Sequence, residues 1–382
     1  MKGRKRTFIE ISEKISIKDK VIWMHCASLG EFEQGRPLIE NIKSDYPSYK
    51  VILTFFSPSG YEIQKNYHFA DVITYLPMDT VKNVKTFLDL VNPKIAIFIK
   101  YEFWPNVLLG LKNRNITTIL VSGIFRSDQV FFKKYGSWMR RSLNAFSHFF
   151  VQNENSKKLL ENIGYTNSSV SGDTRFDRVY EITHQDNHLD FIEDFIQNKY
   201  TLVAGSTWPK DEELLVNYIN NFAGDEEKFI IAPHNITEKG IENLQRSLSK
   251  KTTLFTDKIK NNDAQVFIVN TIGILTKIYS YANVAYVGGG FGKEGIHNIL
   301  EPAAFGVPVI IGPNFSKFTE AVDLVNQKAS FVITDQEELN GYLVKLHNDK
   351  KFREEKILST RKYISKNIGA TEIILSYISK YI

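Results

Sequence analysis

Short apolar runs alternate with stretches of helical periodicity along almost the whole chain, and this alternation limits the fold more than any other feature. Each run is rich in β-branched or aromatic residues and closes before Ser, Pro, Gly or a charged residue. Strands that are buried on both faces have this character, and the segments between the runs are long enough for crossover helices. The sequence therefore predicts an α/β fold built on parallel sheets.

A polar passage at 181–199 divides the alternation into two halves. The strand candidates on its two sides are 21–27, 50–56, 71–76, 94–99, 117–123 and 148–153, and then 200–206, 228–234, 264–270, 283–289, 308–313 and 330–334. Because 382 residues exceed the usual size of one core, we predict two Rossmann-like domains, 1–190 and 191–362. A C-terminal helix at 363–382 is expected to pack back on the first domain. Ligands of open parallel sheets bind beyond the carboxyl ends of the strands, so we expect the site in a cleft between the domains.

The composition excludes several classes of protein. With 43% hydrophobic and 24% charged residues, the chain is typical of a soluble globular protein. Its single cysteine, Cys26, rules out an intrachain disulfide and favours a reducing cytoplasm. No apolar run approaches the roughly 18 residues of a membrane span, and no signal peptide is predicted. The net charge of +5 is too mild to predict a nucleic-acid partner.

The positive charge is concentrated in two places. Lys2, Arg4, Lys5 and Arg6 crowd the N-terminus, and residues 125–146 interleave five cations with bulky aromatic residues. Basic residues beside aromatic ones suit an anionic membrane surface or an anionic lipid headgroup. A helix with a buried aromatic face and a solvated basic face is the alternative interpretation.

Gly290, Gly292 and Gly295 follow a predicted strand and match the dinucleotide fingerprint G-x-G-x-x-G. That fingerprint requires an acidic residue about 20 positions on, at the end of the next strand, to hold a ribose. The next strand ends in IIGPNFSKF, which contains no acid. A P-loop is also excluded, because Lys293 is followed by Glu294 rather than by Ser or Thr. We therefore predict no nicotinamide or flavin cofactor.

The residues that follow these glycines indicate a nucleotide of another kind. His297, Asn298 and Glu301 lie at the beginning of a predicted helix, whose free amides and dipole favour a phosphate. Glu301 could hold both hydroxyls of a ribose, although Asn298-x-x-Glu301 also has the spacing of a helix cap. Two other strand ends, 205–207 and Pro233–His234, are expected to converge on the same place.

In the first half, two carboxylates, Glu31 and Glu102, follow strand ends. Such a pair fits a general base and a group that stabilises developing positive charge. Ser28-x-x-Glu31 is also the sequence of a capping box, so a purely structural role for Glu31 is the alternative. Arg175 and Arg178 could steady a departing phosphate. No His or Cys cluster has metal-ligand spacing, and we predict a mechanism without a metal.

Several motifs, in this order, resemble those of the 3-deoxy-D-manno-octulosonic acid (Kdo) transferases of lipopolysaccharide assembly. They are SLGEFEQGRPLI, EFWPN, GDTRFD, AGSTW, NTIGIL and GIHNILEPAAFGVPVIIGP, and they extend from residue 21 to about residue 320. The resemblance implies a two-domain GT-B fold and an inverting transfer that uses neither a metal nor a bound cofactor. It also implies CMP-Kdo as the donor and a lipid A precursor, lipid IVA, as the acceptor.

Carried over by position, Glu31 would be the proton acceptor, Glu102 would stabilise the transition state, and Arg175 stands where the family usually has lysine. The segments that correspond to CMP-binding residues are Pro233, His234, Ile272, Gly273, Ile274, Asn298, Ile299, Leu300 and Glu301. His234 replaces an arginine of the family. Ile274 replaces a glutamate, which implies that its loop contributes backbone groups rather than a side chain.

The resemblance also implies a peripheral enzyme at the cytoplasmic face of the bacterial inner membrane. Family members commonly begin with an apolar anchor, whereas this chain begins MKGRKR. Two alternatives stay open: a GT-B glycosyltransferase that uses another nucleotide sugar, and a non-catalytic module that binds a nucleotide or a lipid. The presence of both Glu31 and Glu102 argues against the module.

Overall fold

Helices and strands alternate through the described chain, which comprises residue 4, residues 6–257 and residues 263–382 of the computed structural model. Lys2 and Lys5 of the predicted basic cluster lie outside the described residues. The elements up to residue 183 are α1 (Thr7–Lys14), β1 (Val21–Cys26), α2 (Leu29–Asp45), β2 (Lys50–Phe55), α3 (Pro58–Gln64), β3 (Val72–Tyr75), α4 (Val81–Val91), β4 (Ile95–Ile99), α5 (Pro105–Asn113), β5 (Thr117–Gly123), α6 (Ser137–Leu143), β6 (His148–Val151), α7 (Glu154–Glu161), β7 (Ser168–Val170) and α8 (Thr174–Thr183).

The first seven strands form one sheet in the order β3-β2-β1-β4-β5-β6-β7, and all neighbouring strands are parallel. β1 is central, and every residue in it is buried. The strand order reverses between β1 and β4, where His25 lies opposite Phe98. Such a reversal leaves a crevice beyond the carboxyl ends of the two strands, which is where open α/β sheets bind ligands.

The second half repeats the alternation. Its elements are α9 (Asp190–Ile196), β8 (Tyr200–Thr207), α10 (Pro209–Asn221), β9 (Glu227–Pro233), α11 (Glu238–Ser247), β10 (Thr252–Leu254), β11 (Val266–Ile268), α12 (Leu275–Ile278), β12 (Val284–Val287), α13 (Leu300–Ala304), β13 (Val309–Ile311), α14 (Thr319–Asn326), β14 (Ser330–Val332), α15 (Gln336–Asn348), α16 (Lys350–Asn367) and α17 (Ala370–Ile378).

The strands from β8 onward form a second parallel sheet in the order β10-β11-β9-β8-β12-β13-β14. Its strand order reverses between β8 and β12. The residues that follow these two strands, from Trp208 and from Gly288 onward, therefore border the crevice of this sheet. The prediction of an α/β fold with two parallel sheets is confirmed.

The chain divides into two compact units, Met1–Arg178 with Asn367–Ile382, and Val179–Lys366. The sequence placed the boundaries near 190 and 363. α17 packs on α2, and its fully buried Ile374 and Ile378 belong to the core under that face of the first sheet. Asp177 fixes the start of α17 by accepting hydrogen bonds of 2.7 Å from the N–H and the hydroxyl of Thr371.

The basic and aromatic segment at 125–146 has both a buried aromatic part and an exposed aromatic part. Phe125, Phe131 and Phe146 are buried in the core of the first unit. Tyr135 and Trp138, by contrast, are 72% and 60% exposed. The segment is therefore part core and part exposed aromatic surface. Among the described residues, no helix combines the length and apolar content that a membrane crossing requires.

Candidate active site

The start of α2 determines where Glu31 lies. Ser28 takes the extended N-cap conformation, with φ of −137°, but its side chain makes no capping hydrogen bond. Glu31 Oε2 accepts a hydrogen bond from the Ala27 N–H, and the Ser28 N–H also lowers the pKa of this carboxylate as a hydrogen-bond donor. The expected capping box is thus half correct, because only the glutamate reaches back to the backbone.

Glu31 is 8% exposed, so its carboxylate has lost most of its water. Burial, and then the negative charge of Glu102, raise its pKa to about 7, although the Ala27 N–H and Lys100 act in the opposite direction. A carboxyl group with this pKa can accept and release a proton near neutral pH. Such a group in a crevice has the properties of a general base.

Glu102 follows β4 and is held through a single oxygen. Its Oε2 accepts from the Trp104 indole N–H at 2.7 Å and lies 3.1 Å from His25 Nε2. Among the described residues, no hydrogen bond reaches its Oε1. The two ring nitrogens therefore fix the carboxyl plane and leave the second oxygen available.

His25, at the end of β1, is fully buried and links Glu102 to the next strand. Its Nδ1 lies 2.9 Å from the hydroxyl of Thr54 in β2. That hydroxyl oxygen also accepts from the indole N–H of Trp23 at 2.9 Å. The Glu102 carboxylate is thereby tied to a buried polar chain that crosses the switch point of the first sheet.

Three cations, Lys100, Arg126 and Arg175, lie near Tyr101, the residue before Glu102. β4 ends at Lys100, whose φ of 68° lies in the left-handed region that non-glycine residues rarely adopt. The Lys100 ammonium and the Arg126 guanidinium lie 5.5 Å and 5.4 Å from the centre of the Tyr101 ring. Burial raises the pKa of Tyr101, Arg126 and Arg175 oppose that rise, and Glu31 adds to it. These groups are therefore close enough to interact around one ring.

Arg175, in the first turn of α8, is oriented by the buried Asp173. Its Nε and Nη2 donate to Asp173 Oδ2 at 3.0 and 2.8 Å, and Gln34 donates to the same carboxylate at 3.1 Å. Burial raises the pKa of Asp173, but the charge and hydrogen bonds of Arg175 outweigh it and hold that pKa below its usual value. Arg178 instead lies 3.8 Å from Glu40.

The second unit carries an aromatic cluster beyond β8, made of Trp208, His234 and His297. The Trp208 ring stacks on His234 with centroids 4.8 Å apart, and the two imidazoles are 4.4 Å apart. The Trp208 indole N–H donates to His297 Nε2 at 3.0 Å, which requires that nitrogen to be unprotonated. Burial, and then the neighbouring His234, lower the pKa of His297 to about 4. The cluster is therefore neutral at His297 at physiological pH.

The glycine run after β12 has a structural cause. A Cβ added to Gly290 would lie 2.7 Å from the backbone nitrogen of Gly312, so the two chain segments can approach only without side chains. Asp211, fully buried in α10, ties this turn to the sheet by accepting from the Gly289 N–H at 2.9 Å and from the Tyr286 hydroxyl at 2.7 Å. Close backbone packing thus accounts for the apparent dinucleotide fingerprint.

The segment 298–301 differs from its predicted form. α13 begins only at Leu300 and is five residues long, so Asn298 precedes the helix instead of starting it. The Asn298 Oδ1 accepts from the Leu300 N–H at 3.2 Å, and its amide donates to Glu301 Oε1 at 3.0 Å. Glu301 Oε2 accepts from Thr276 at 2.9 Å. The proline after Glu301 and the preceding tight turn leave little room for a longer helix.

The loop 272–274 is the most exposed part of the predicted nucleotide segments. Ile272 is 89% exposed, Gly273 has φ of 96°, and Ile274 is the N-cap of α12. Pro233 ends β9, and His234 follows it immediately. Each predicted nucleotide residue therefore belongs to the second unit, and Glu31, Glu102 and Arg175 belong to the first.

Sequence reasoning missed several polar side chains at these two crevices. They are His25, Lys100, Trp104, Asp173, Trp208 and Asp211. Trp104 and Trp208 lie within the motifs EFWPN and AGSTW, so their motifs could have identified them. Within the described part of the chain, no group of three His, Cys, Asp or Glu side chains is arranged to hold a metal ion.

Comparison with known proteins extends the resemblance to both halves of the chain. Residues 3–178 match the family model described as 3-deoxy-D-manno-octulosonic-acid transferase (kdotransferase). The chain is 27% identical to the 3-deoxy-D-manno-octulosonic acid transferase of Rickettsia bellii (strain RML369-C), over 94% of this chain and 88% of that protein.

Solved structures of other proteins share the fold. UDP-GlcNAc 2-epimerase from Neisseria meningitidis, bound to UDP-GlcNAc, is 14% identical with a TM-score of 0.64, covering 94% of this chain and 100% of that one. CalG4, the calicheamicin glycosyltransferase, is 11% identical with a TM-score of 0.58, covering 96% and 98%. At these identities the likeness is one of fold, and it does not select a reaction.

The two Rossmann-like units have the GT-B fold, as CalG4 does, and the relatives of the chain indicate a glycosyltransferase. More particularly, residues 3–178 match the family model of the 3-deoxy-D-manno-octulosonic acid transferases, and 94% of the chain is similar to such an enzyme. The resemblance inferred from the sequence motifs is confirmed.

Proposed function

We propose that this protein transfers Kdo from CMP-Kdo to a lipid A precursor, lipid IVA, with inversion at the anomeric carbon. The observation that carries the proposal is Glu31, a buried carboxyl group with a pKa of about 7 that interacts with a second carboxylate, Glu102. The family of the first unit supports the Kdo donor. The motifs quoted above support the same donor.

Glu31 is the proposed general base. It accepts the proton of the attacking hydroxyl group while the oxygen of that group forms a bond to the anomeric carbon of Kdo. The bond from this carbon to the phosphate oxygen of CMP breaks, and CMP leaves with the electron pair. A single displacement of this kind inverts the anomeric configuration. A positioned base contributes about a hundred- to ten-thousandfold in rate.

Glu102 is the proposed stabiliser of the sugar. Departure of CMP leaves positive charge on the Kdo ring, and a carboxylate already fixed in place stabilises that charge without reorganising. The hydrogen bonds from Trp104 and His25 occupy one oxygen and leave Oε1 to face the sugar. Fixing the carboxylate beforehand matters because the charge exists only in the transition state.

Arg175 is the proposed partner of the anionic donor. The leaving phosphate gains negative charge as its bond to Kdo breaks, and a guanidinium group stabilises that charge. Its two bonds to Asp173 set the direction of the guanidinium plane. We assign the CMP moiety to the second unit, with His234 toward the phosphate and Glu301 toward the ribose hydroxyls.

We also assign a peripheral membrane location at the cytoplasmic face, mediated by the exposed Tyr135 and Trp138 with Lys134 and Arg141. Aromatic residues beside cations favour the interface of an anionic bilayer. Sedimentation with phosphatidylglycerol vesicles at low salt tests this assignment. Binding that falls with added salt and with Trp138→Ala supports it, and the absence of sedimentation contradicts it.

The transfer itself is tested with freshly generated CMP-Kdo and tetraacylated lipid IVA. We expect mass spectrometry to show the acceptor with one or more added Kdo units, together with an equal amount of released CMP. The same assay with CMP-activated sialic acid and with UDP-sugars tests the alternative donors. Transfer from one of those donors, with none from CMP-Kdo, would overturn the proposed donor.

A further inference from the structure

A second concave site lies in the first unit, beyond the carboxyl ends of β2 and β3. It is a cavity of about 440 Å³. Its lining includes Arg4, Phe56, Ser57, Tyr61, Glu62 and Tyr75. This volume lies within the range of about 300–1,000 Å³ that small-molecule sites occupy. No residue of this cavity is used in the mechanism proposed above.

The cation of this cavity is fixed and lacks a described acidic partner. Arg4 Nη2 donates to the carbonyl of Phe56 at 2.8 Å, and its Nε donates to the carbonyl of Leu76 at 3.2 Å. Its guanidinium carbon lies 4.3 Å from the centre of the Phe56 ring. The acid in the lining, Glu62, is paired with Lys65 at 2.9 Å. Neutral carbonyls therefore orient Arg4, and no described carboxylate neutralises it.

The rest of the lining suits a polar ring. Tyr61 and Tyr75 pack with centroids 4.3 Å apart, and both hydroxyl groups are free of hydrogen bonds to described residues. Ser57, whose hydroxyl oxygen lies 2.9 Å from that of Ser59, adds a hydroxyl group to the lining. An anion that binds Arg4 and a ring that packs on aromatic faces together describe a phosphorylated sugar.

One pair of packed aromatic rings separates the cavity from Glu102. The Phe56 ring, which forms one wall, packs on the Trp104 ring with centroids 4.7 Å apart. The indole N–H of Trp104 donates a hydrogen bond to Glu102 at 2.7 Å. A molecule held in the cavity therefore lies one aromatic pair away from the proposed reaction centre.

We propose that the Arg4 cavity binds a phosphorylated sugar of the acceptor headgroup, with the phosphate on Arg4 and the sugar against Phe56, Tyr61 and Tyr75. This inference depends on the proposed function, because it takes the acceptor from that function. It adds a residue that selects acceptors by their phosphate, at a distance from the hydroxyl group that reacts.

The test compares Arg4→Gln with the wild type on lipid IVA and on acceptors from which either phosphate has been removed. Because the variant loses a charge-assisted hydrogen bond to the phosphate, we expect its KM for lipid IVA to rise by about tenfold or more, with kcat nearly unchanged. The effect should disappear for the acceptor that lacks the recognised phosphate. Arg6→Gln is the matched control, because Arg6 is exposed and pairs with Glu10 on α1. An equal KM in Arg4→Gln and wild type overturns the inference.

Because Arg4 also bonds two backbone carbonyls, Arg4→Lys separates binding from structure. It keeps the charge but loses the bidentate geometry. We expect it to retain part of the preference for the phosphorylated acceptor. A loss that is the same for all three acceptors, in either variant, would show a structural role and contradict the inference.

Failure of the proposed function is distinguishable from failure of this site. If the wild type transfers no Kdo, the proposed reaction fails. Calorimetric titration with the acyl-free glucosamine disaccharide bisphosphate then tests binding to the Arg4 cavity independently of Kdo transfer. We expect binding to the wild type that is at least tenfold tighter than to Arg4→Gln, and equal affinities would refute the site.

Discussion

The two units place different chemistry at the same point of the same architecture. In the first unit the switch point between β1 and β4 carries Glu31 and Glu102, both held by N–H groups. In the second unit the switch point between β8 and β12 carries stacked aromatic rings, Trp208 and His297 among them, and a turn of glycines. The first crevice concentrates charge, whereas the second offers flat rings and backbone.

The comparison shows how a repeated sheet acquires two roles. A switch point supplies a crevice, and the residues just after the two strands decide its use. A buried carboxyl group such as Glu31, with its pKa raised to about 7, is suited to proton transfer near neutral pH. Stacked rings are suited to binding, because a planar ligand can pack on their faces.

The largest effect is expected for Glu31→Gln, which removes the base of the first crevice but keeps an acceptor for the Ala27 N–H. We expect kcat to fall by about a hundred- to ten-thousandfold, since that is the contribution of a positioned base. Steady-state transfer from CMP-Kdo measures it, and CMP binding should be unchanged. Activity within a few-fold of wild type would show that Glu31 only caps α2.

The same variant should be more stable than the wild type at pH 8. Burial raises the pKa of Glu31 from 4.5 to about 7, so the native state holds this proton more tightly than the unfolded chain. The protonated Glu31 makes its full contribution to the free energy of unfolding below about pH 4.5, and this contribution is lost as the pH rises through 7. This pKa shift lowers the free energy of unfolding of the wild type by about 3 kcal/mol between low and high pH. Thermal unfolding at pH 5 and pH 8 tests the sign.

The pH profile of the wild type should follow Glu31. A base with a pKa of about 7 is protonated at lower pH, so kcat/KM should fall about tenfold per unit below pH 7. Transfer rates at pH 5 to 9, with CMP-Kdo generated in place, measure the profile. A flat profile down to pH 5 would contradict the assignment of Glu31 as the base.

A smaller effect is expected for Trp104→Phe, which removes one donor from Glu102 while keeping the ring on Phe56. Because Glu102 loses a hydrogen bond to its charged carboxylate, we expect kcat to fall by about ten- to hundredfold, with the KM for the donor nearly constant. His25→Gln keeps a donor toward Glu102 and should lose less. A rise in the donor KM at constant kcat would mean that these residues bind the substrate.

The smallest effect is expected in the second unit, at the stacked rings of Trp208 and His297. Trp208→Phe keeps the stacked ring but removes the N–H that occupies His297 Nε2. We expect the pKa of His297 to rise from about 4 by about one unit, because one hydrogen bond no longer opposes protonation. Imidazole chemical shifts measure the titration. An unchanged pKa would assign the shift to burial and His234 alone.

The sequence was most informative where a pattern is local. Twelve apolar runs correspond to strands, because a strand that is buried on both faces needs only its own side chains to be recognised. β7 and β10 were missed. β7 (SSV) and β10 (TTL) are only three residues long. Each is an edge strand of its sheet, where a strand needs fewer apolar residues.

The candidate site was predictable only in part, for a related reason. Glu31 and Glu102 are visible as carboxylates after strands. The contact of His25 with Glu102, however, joins residues 77 positions apart through the pairing of β1 and β4. His25 also sits inside an apolar run, where the sequence indicates only a core residue. The helix was predicted to begin at His297 and Asn298, whereas α13 begins at Leu300, because Pro302 has no N–H to donate to the Asn298 carbonyl.

The last helix makes the second unit an insertion in the first. The chain leaves the first unit after Arg178 and returns at Asn367, and α17 then completes the core of the first unit with Ile374 and Ile378. A gene that ended after the second unit would therefore leave an apolar face of α2 uncovered. Exchange of donor specificity between relatives would require two crossovers, one at each end of the insert, rather than a single fusion point.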